Sequence, residues 1–273
     1  MATVQPQGAG AEALEAGLQL VIPGKSLPAG AGWDWIAGGW KLFLRAPLMW
    51  IIALVILFVI AIVAAFIPFI GSLAFQIMQS VFAGGFIAAC RNIERGGEFE
   101  LEHLFAGFKK NFGSLVVVGL LFLAGGVIIM LVFVALLAMT MGTAVLGAFA
   151  SADPDAAIAA AGASIVMVLV GLLVMMALLV PLLAAYWFAP ALVVMHDMKP
   201  VTAMRESFFA CLRNFIPFLV YGLVVFVLAI VAAIPFFLGY LVLIPVLFGS
   251  TYVAYRQIFT YETAAPTVLA PDR

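Results

Sequence analysis

Residues 48–89 read LMWIIALVILFVIAIVAAFIPFIGSLAFQIMQSVFAGGFIAA, with no charged side chain anywhere in the run. A helix crosses a bilayer with about 20 mostly apolar residues, so this stretch is long enough for two crossings. Ile67-Pro68-Phe69-Ile70-Gly71 divides it, because Pro and Gly close together mark a turn. Uncharged runs recur at 114–152, 156–195 and 216–255, the last divided by Ile234-Pro235-Phe236-Phe237-Leu238-Gly239. Lipid offers the backbone no hydrogen-bond partners, so each crossing must satisfy its amides inside its own helix. The pattern predicts an all-α polytopic membrane protein with six spans, near 48–67, 71–90, 114–143, 162–190, 216–234 and 239–257.

Composition agrees. The 273 residues are 67% hydrophobic and only 9% charged, with a mean hydropathy of +1.27. Soluble domains average about 45–50% apolar and about 25% charged, so a soluble globule is excluded. A net charge of −1 gives no basic excess that would point to nucleic acid. Two Cys and two His cannot build a disulfide framework or a zinc site. Residues 1–30, rich in Gly, Ala, Pro and Gln, read as a flexible arm. They do not read as a secretory signal, since Lys25 follows the short apolar patch 18–22 instead of preceding it. Residues 263–273 form a short C-terminal tail after a membrane domain at 31–262.

Charge placement sets the expected orientation. Lys25, Lys41 and Arg45 precede span 1; Arg91, Arg95, Lys109 and Lys110 lie between spans 2 and 3. Lys199, Arg205 and Arg213 separate spans 4 and 5, and Arg256 and Arg273 follow span 6. All 12 basic residues thus fall on one side, while the opposite side holds two tight turns and the acidic Asp153-Pro154-Asp155. The positive-inside rule makes the basic side, with both termini, cytoplasmic. Asp153 reads as a helix N-cap with Pro154 at the first helical position. A helix from there to about residue 186 would outrun a hydrocarbon core of about 30 Å. Spans 3 and 4 therefore either project beyond the bilayer or break at Gly147 and Gly162, with Pro181 and Pro190 expected to kink span 4.

The chain also resembles itself. A shift of 168 residues places Arg45 on Arg213, residues 62–65 (IVAA) on 230–233 (IVAA), and Gly71 on Gly239. A weaker third copy has 108–112 (FKKNF) against 211–215 (CLRNF). Each of the three units is an amphipathic segment ending in Lys or Arg, followed by a hairpin. The segments are 33–45, 101–112 and 204–215. Their apolar stripes are Trp33, Ile36, Trp40, Phe43 and Leu44; Leu101, Leu104, Phe105, Phe108 and Phe112; and Met204, Phe208, Leu212 and Phe215. Aromatics beside bases suit helices lying in the membrane interface. Core packing against a neighbouring face explains the same spacing. Units separated by an even number of spans share one orientation, unlike the inverted repeats of many secondary transporters.

Three stretches carry a family resemblance: 104–109 (LFAGFK), 188–192 (FAPAL) with 203–208 (AMRESF), and 249–252 (GSTY) with Tyr255-Arg256. Together they resemble a family of six-span bacterial inner-membrane proteins of the YciC type. More distantly they resemble the membrane domain attached to some glycerophosphodiester phosphodiesterases. The resemblance covers about 33–262 and implies a bacterial inner-membrane location. It brings no catalytic residue, and this sequence carries no soluble phosphodiesterase region.

Away from their ends the spans hold no Asp, Glu, Lys, Arg or His, which weighs against a proton-coupled pump. Span 2 offers Gln76 and Gln79, three apart on one helix face, as a polar groove or as bonds to a neighbouring helix. Ser80, Gly84 and Ala88 form a small-residue stripe for close helix contact. His103 with Glu98, Glu100 and Glu102, and His196 with Asp197, suggest a metal site only weakly; acids at a helix start with Lys109 and Lys110 at its end follow the helix dipole. No catalytic, cofactor or metal residue is expected, and Cys90 and Cys211 are expected to stay reduced. The favoured function is a non-enzymatic accessory component that organises membrane lipid, or a protein partner at the cytoplasmic face. Its contacts would be Trp33, Trp40, Lys41, Arg45, Phe105, Lys109, Lys110, Arg205, Phe208 and Arg213. The alternatives are a transporter or channel for a small neutral or lipidic solute, using Gln76 and Gln79, and a membrane subunit of an enzyme whose catalytic domain is on another chain.

Overall fold

The computed structural model describes residues 18–150 and 154–262. A short strand, β1 (Leu18–Leu20), leads to α1 (Ala31–Arg45) and a first hairpin, α2 (Pro47–Ala65) and α3 (Ile70–Glu94). A 3-10 turn (Leu101–Phe105) and α4 (Ala106–Lys109) precede a second hairpin, α5 (Phe112–Ala150) and α6 (Pro154–Trp187). Then come α7 (Ala189–His196), α8 (Pro200–Arg213), a third hairpin of α9 (Phe215–Ala233) and α10 (Tyr240–Phe259), and β2 (Thr260–Glu262). Among the described residues six helices are long and apolar enough to cross a membrane, two from each hairpin. The protein is therefore an all-α, multi-pass membrane protein.

The packed core sits at the end where the short helices gather. Trp35, Trp50, Phe86, Phe188, Tyr252 and Phe259 are fully buried there. Half of the span window in α3 and in α10 is buried, against 11% in α2 and none in α5. So α3 and α10 are the central helices, and the others present apolar flanks outward. Between helices in lipid there is no hydrophobic drive, and close packing of small residues replaces it. At Gly39 of α1 a Cβ would stand 2.4 Å from the Val246 carbonyl oxygen and 2.6 Å from the Ser250 nitrogen, so the α1 and α10 backbones touch.

Each short segment packs on the hairpin that precedes it, and the first packs on the last. Thus α1 lies on α9 and α10, the 3-10 turn and α4 lie on α3, and α8 lies on α6 and α5. The outer turns of the first and third hairpins also correspond. Phe69 and Phe237, 168 residues apart, both have positive φ, 60° and 65°. A Cβ on Gly71 would strike the Ala64 carbonyl oxygen, and one on Gly239 would strike Ala232. Gly71 and Gly239, like Ala64 and Ala232, are again 168 apart.

Several expectations need correction. The second hairpin is not broken: α5 and α6 run straight through Gly147 and Gly162. Their 39 and 34 residues extend to roughly 58 and 51 Å, beyond a hydrocarbon core of about 30 Å. Pro154 starts α6, while Asp153 lies outside the described residues. Pro181 is inside α6, and the span 162–196 is interrupted only at Phe188, two residues before Pro190, which occupies the first turn of α7. Segment 101–112 is not one helix: Asn111 takes φ 63° and Phe112 opens α5. Likewise α8 ends at Arg213 and Phe215 opens α9.

Residues 18–30 do not form part of a loose arm. β1 pairs antiparallel with β2, Leu20 opposite Thr260. The Lys25 amide donates to the Ile258 carbonyl at 2.7 Å, and the Asn214 side chain both accepts from the Leu27 amide and donates to the Lys25 carbonyl, each at 2.9 Å. Composition marked this segment as open chain because its contacts are made by backbone groups. The rest of the arm, 1–17, and the tail, 263–273, lie outside the described residues.

Candidate functional site

The buried end carries a polar cluster between α3, α7 and α10. The Glu94 carboxylate accepts from the Tyr252 hydroxyl at 2.5 Å and pairs with the Arg256 guanidinium at 3.0 Å. Beside it the His196 ring and the Tyr255 hydroxyl share a hydrogen bond at 2.5 Å. Tyr252 and Tyr255 project from one face of α10, three residues apart, which is why both meet this cluster. The Trp35 indole donates to the Gln257 side chain at 2.9 Å and ties α1 to the same helix. The Glu94–Arg256 pair is partly exposed and adds little by itself, while the Tyr252–Glu94 and His196–Tyr255 hydrogen bonds tie α3 and α7 to α10 at this end.

Three of the candidate bases are committed to the chain itself. Arg45 donates to the Ile93 carbonyl at 2.8 Å, at the end of the first hairpin. Lys110 pairs with Asp197, just after the second hairpin, at 3.5 Å. Arg213 donates to the Gly24 carbonyl at 2.7 Å, on the segment that binds the end of the third. Asn111, next to Lys110, donates to the Asp197 carboxylate at 2.8 Å and to the Val193 carbonyl at 2.9 Å. The Asn111 amide and then the Lys110 charge hold the Asp197 carboxyl below its ordinary value. Lys109 pairs with Glu102, which lowers the Glu102 carboxyl in the same sense.

The others face outward. Lys41 is exposed and makes no hydrogen bond or ion pair among the described residues. Arg205 lies over the Phe209 ring at 5.8 Å. Trp33 and Trp40 are 59% and 45% exposed, Phe105 is exposed beside Phe108, and Phe208 is half-buried with its edge against Phe209. The candidate contacts therefore form separate patches around the end of the molecule and do not converge on one centre.

The stripe of α1 divides between two surroundings. Its packed residues are Ala31, Gly32, Trp35, Ile36, Gly39, Leu42 and Phe43. Ile36 and Phe43 of the stripe belong to them, while Trp33 and Trp40 are exposed. Trp35 and Glu94 were not singled out from the sequence, and Tyr252 entered only through the family resemblance. The signal for the last two was available: Arg91 and Glu94 end span 2 three residues apart, and Tyr252, Tyr255 and Arg256 end span 6 at helical spacing.

Gln76 is half-buried and Gln79 exposed, and neither lines the two cavities described here. In the small-residue stripe, Ser80 donates to the Leu115 carbonyl of α5 at 2.7 Å, and Gly84 faces Leu115 and Val194. His103 is engaged with the Glu100 backbone at 3.1 Å. Among the described residues no three His, Cys, Asp or Glu side chains gather as a metal site. Cys90 and Cys211 are buried and unpaired with each other.

A cavity of about 600 Å³ lies where α1 meets the third hairpin. Ile36, Ala37 and Trp40 of α1 face Leu228 of α9 and Leu243 of α10 across it, and Lys41 is its one charged lining residue. A second cavity of about 200 Å³ adjoins at Lys41 and is lined also by Arg45 and Glu94.

Comparison with known proteins finds a relative in Burkholderia thailandensis, named a probable inner membrane protein. It is 31% identical over 268 residues, covering 87% of this chain and 94% of the relative. No family model matches the chain, and no solved structure matches it.

Proposed function

Since the chain belongs to the same family as that inner membrane protein, we propose that it is an accessory component of the bacterial inner membrane whose basic end organises anionic lipid, without catalysing a reaction. The basic end and both termini face the cytoplasm in this reading, as the one-sided placement of all 12 bases requires. The observation that carries it is the outward-facing pairing of aromatics with bases: Trp33 and Trp40 beside Lys41, and Phe209 under Arg205. Amphipathic aromatic rings settle at headgroup level, and each base near an anionic surface contributes about 1 kcal/mol.

The contacts of the bases support a narrower form of this reading. Arg45, Lys110 and Arg213 clasp the chain, and Lys109 is paired, so Lys41 and Arg205 are the lipid-facing ones. The same reading treats the protein as three parallel units of segment plus hairpin. It is supported by the cyclic packing and by the matched bases at 45, 110 and 213, of which Arg45 reaches the end of the first hairpin, Lys110 reaches Asp197 after α7, and Arg213 reaches Gly24 of the N-terminal segment. Kinship with the YciC type belongs to this proposal as well.

The test is the lipid that co-purifies in mild detergent. Replacing Lys41 and Arg205 together by Gln should lower the anionic share, while replacing Lys109 and Lys110 should change it little. Equal lipid content in all three proteins would assign the bases to setting topology alone.

A further inference from the structure

We propose that the cleft between α9 and α10 is a binding site for one anionic glycerophospholipid, its acyl chain in the cleft and its phosphate at Lys41. This rests on the lipid reading above and gives it a single place. The cleft exists because α1 is wedged against both helices of the third hairpin, through Gly32 on Pro217 and Tyr221 and through Gly39 on Val246. Two hydrogen bonds join the hairpin beside the opening. Tyr221 and Ser250 share one at 2.8 Å, and the Tyr240 hydroxyl donates to the Ala229 carbonyl at 3.1 Å. The cavity starts between them at Leu228 and Val246 and continues past the second toward Pro235 and Gly239 in the outer turn.

Its shape and chemistry select the occupant. The walls from Val246 to Gly239 are aliphatic or aromatic, and seven residues of helix run about 10 Å. That takes the glycerol-proximal part of an acyl chain. A volume of about 600 Å³ is in the range of small-molecule pockets, about 300–1,000 Å³. The cleft ends at Lys41, whose ammonium has no protein partner among the described residues, and the smaller cavity beyond it adds Arg45. Glu94 also lines that cavity, but it is already neutralised by Arg256. An apolar trough leading to Lys41 matches an apolar chain leading to a phosphate. A helix of a second copy would fill the trough and bring no anion to Lys41.

The test is native mass spectrometry of the delipidated full-length protein titrated with phosphatidylglycerol. One lipid should remain bound at activation energies that strip the rest. Ala37→Phe on the α1 wall and Val231→Trp on the α9 wall should each abolish that single retained lipid. Lys41→Gln should weaken it about five-fold. Unchanged retention in both wall variants, or a concentration-dependent dimer that binds no lipid, overturns the proposal. The two readings fail separately: loss of general anionic enrichment with the single lipid kept would sink the accessory-lipid role alone. General enrichment that both wall variants leave untouched, single lipid included, would sink the cleft alone.

Discussion

Replacing Gly39 by Ala should destabilise the protein, although Ala is the better helix former. In an open helical position the exchange is worth up to about 1 kcal/mol in favour of Ala. At Gly39 the new methyl would stand 2.4 Å from the Val246 carbonyl oxygen and 2.6 Å from the Ser250 nitrogen, where 3.4 Å is ordinary contact. Both neighbours are backbone atoms, so no side chain can rotate away and α1 must lift off α10 by about 1 Å. Overpacking costs typically 1–3 kcal/mol. The upper half of that range, less the propensity gain, leaves a net loss of about 1–2 kcal/mol. Gly222 of α9 supplies the control, since nothing lies within 4 Å of a Cβ there. Gly222→Ala should therefore be neutral or stabilising by up to about 1 kcal/mol. Thermal unfolding in mild detergent at one scan rate, followed by circular dichroism, should rank Gly222→Ala above wild type and Gly39→Ala below it. A Gly39→Ala protein that melts with or above Gly222→Ala would refute the backbone contact between α1 and α10.

Other outcomes follow from the same geometry. Burial pushes the Cys211 thiol up to about 12, and the thiolate is the reactive form; Cys211 should resist iodoacetamide in the folded protein and react after unfolding in strong detergent, so rapid alkylation of the native form would contradict its burial. The Asp197 carboxyl is held below its ordinary 3.8, so its stabilising contribution is complete above that pH and disappears as pH falls through the lower folded value. The wild-type melting midpoint should therefore drop more steeply on acidification than that of Asp197→Asn, and identical acid limbs would show that Asn111 and Lys110 do not hold the carboxylate. Ser80→Ala removes the hydrogen bond to the Leu115 carbonyl and should cost about 0.6 kcal/mol, the average for such bonds in membranes; a stability equal to wild type would deny Ser80 a role in joining α3 to α5.

The six spans were legible because charge is absent from them and concentrated between them, a pattern that lipid enforces without regard to packing detail. What the sequence did not reveal is how the short segments face. Large apolar residues mark the buried side of a helix in water, yet α1 packs through Gly32, Gly39 and Trp35 and turns Trp33 and Trp40 outward. In an apolar solvent small residues bring backbones together and bulky ones can face lipid, so the stripe of large side chains does not by itself mark the surface that packs. The docking of 18–27 was equally hidden, since a three-residue strand pair and carbonyls held by Arg213 and Asn214 leave no periodic trace. The candidate bases make different contacts. Their roles diverged because Ile93, Asp197 and Gly24, the groups that Arg45, Lys110 and Arg213 reach, lie far away in the chain.

We propose that the basic end is the cytoplasmic end, where it meets the anionic leaflet. Cysteine labelling in intact cells tests it most directly, in a protein whose Cys90 and Cys211 have been replaced by Ala. A cysteine at Ala152, in the link between α5 and α6, should react with a membrane-impermeant maleimide added from outside. A cysteine at Gly97, between α3 and α4, should react only after the inner membrane is opened. Labelling at Gly97 with Ala152 protected would invert the molecule and contradict the account.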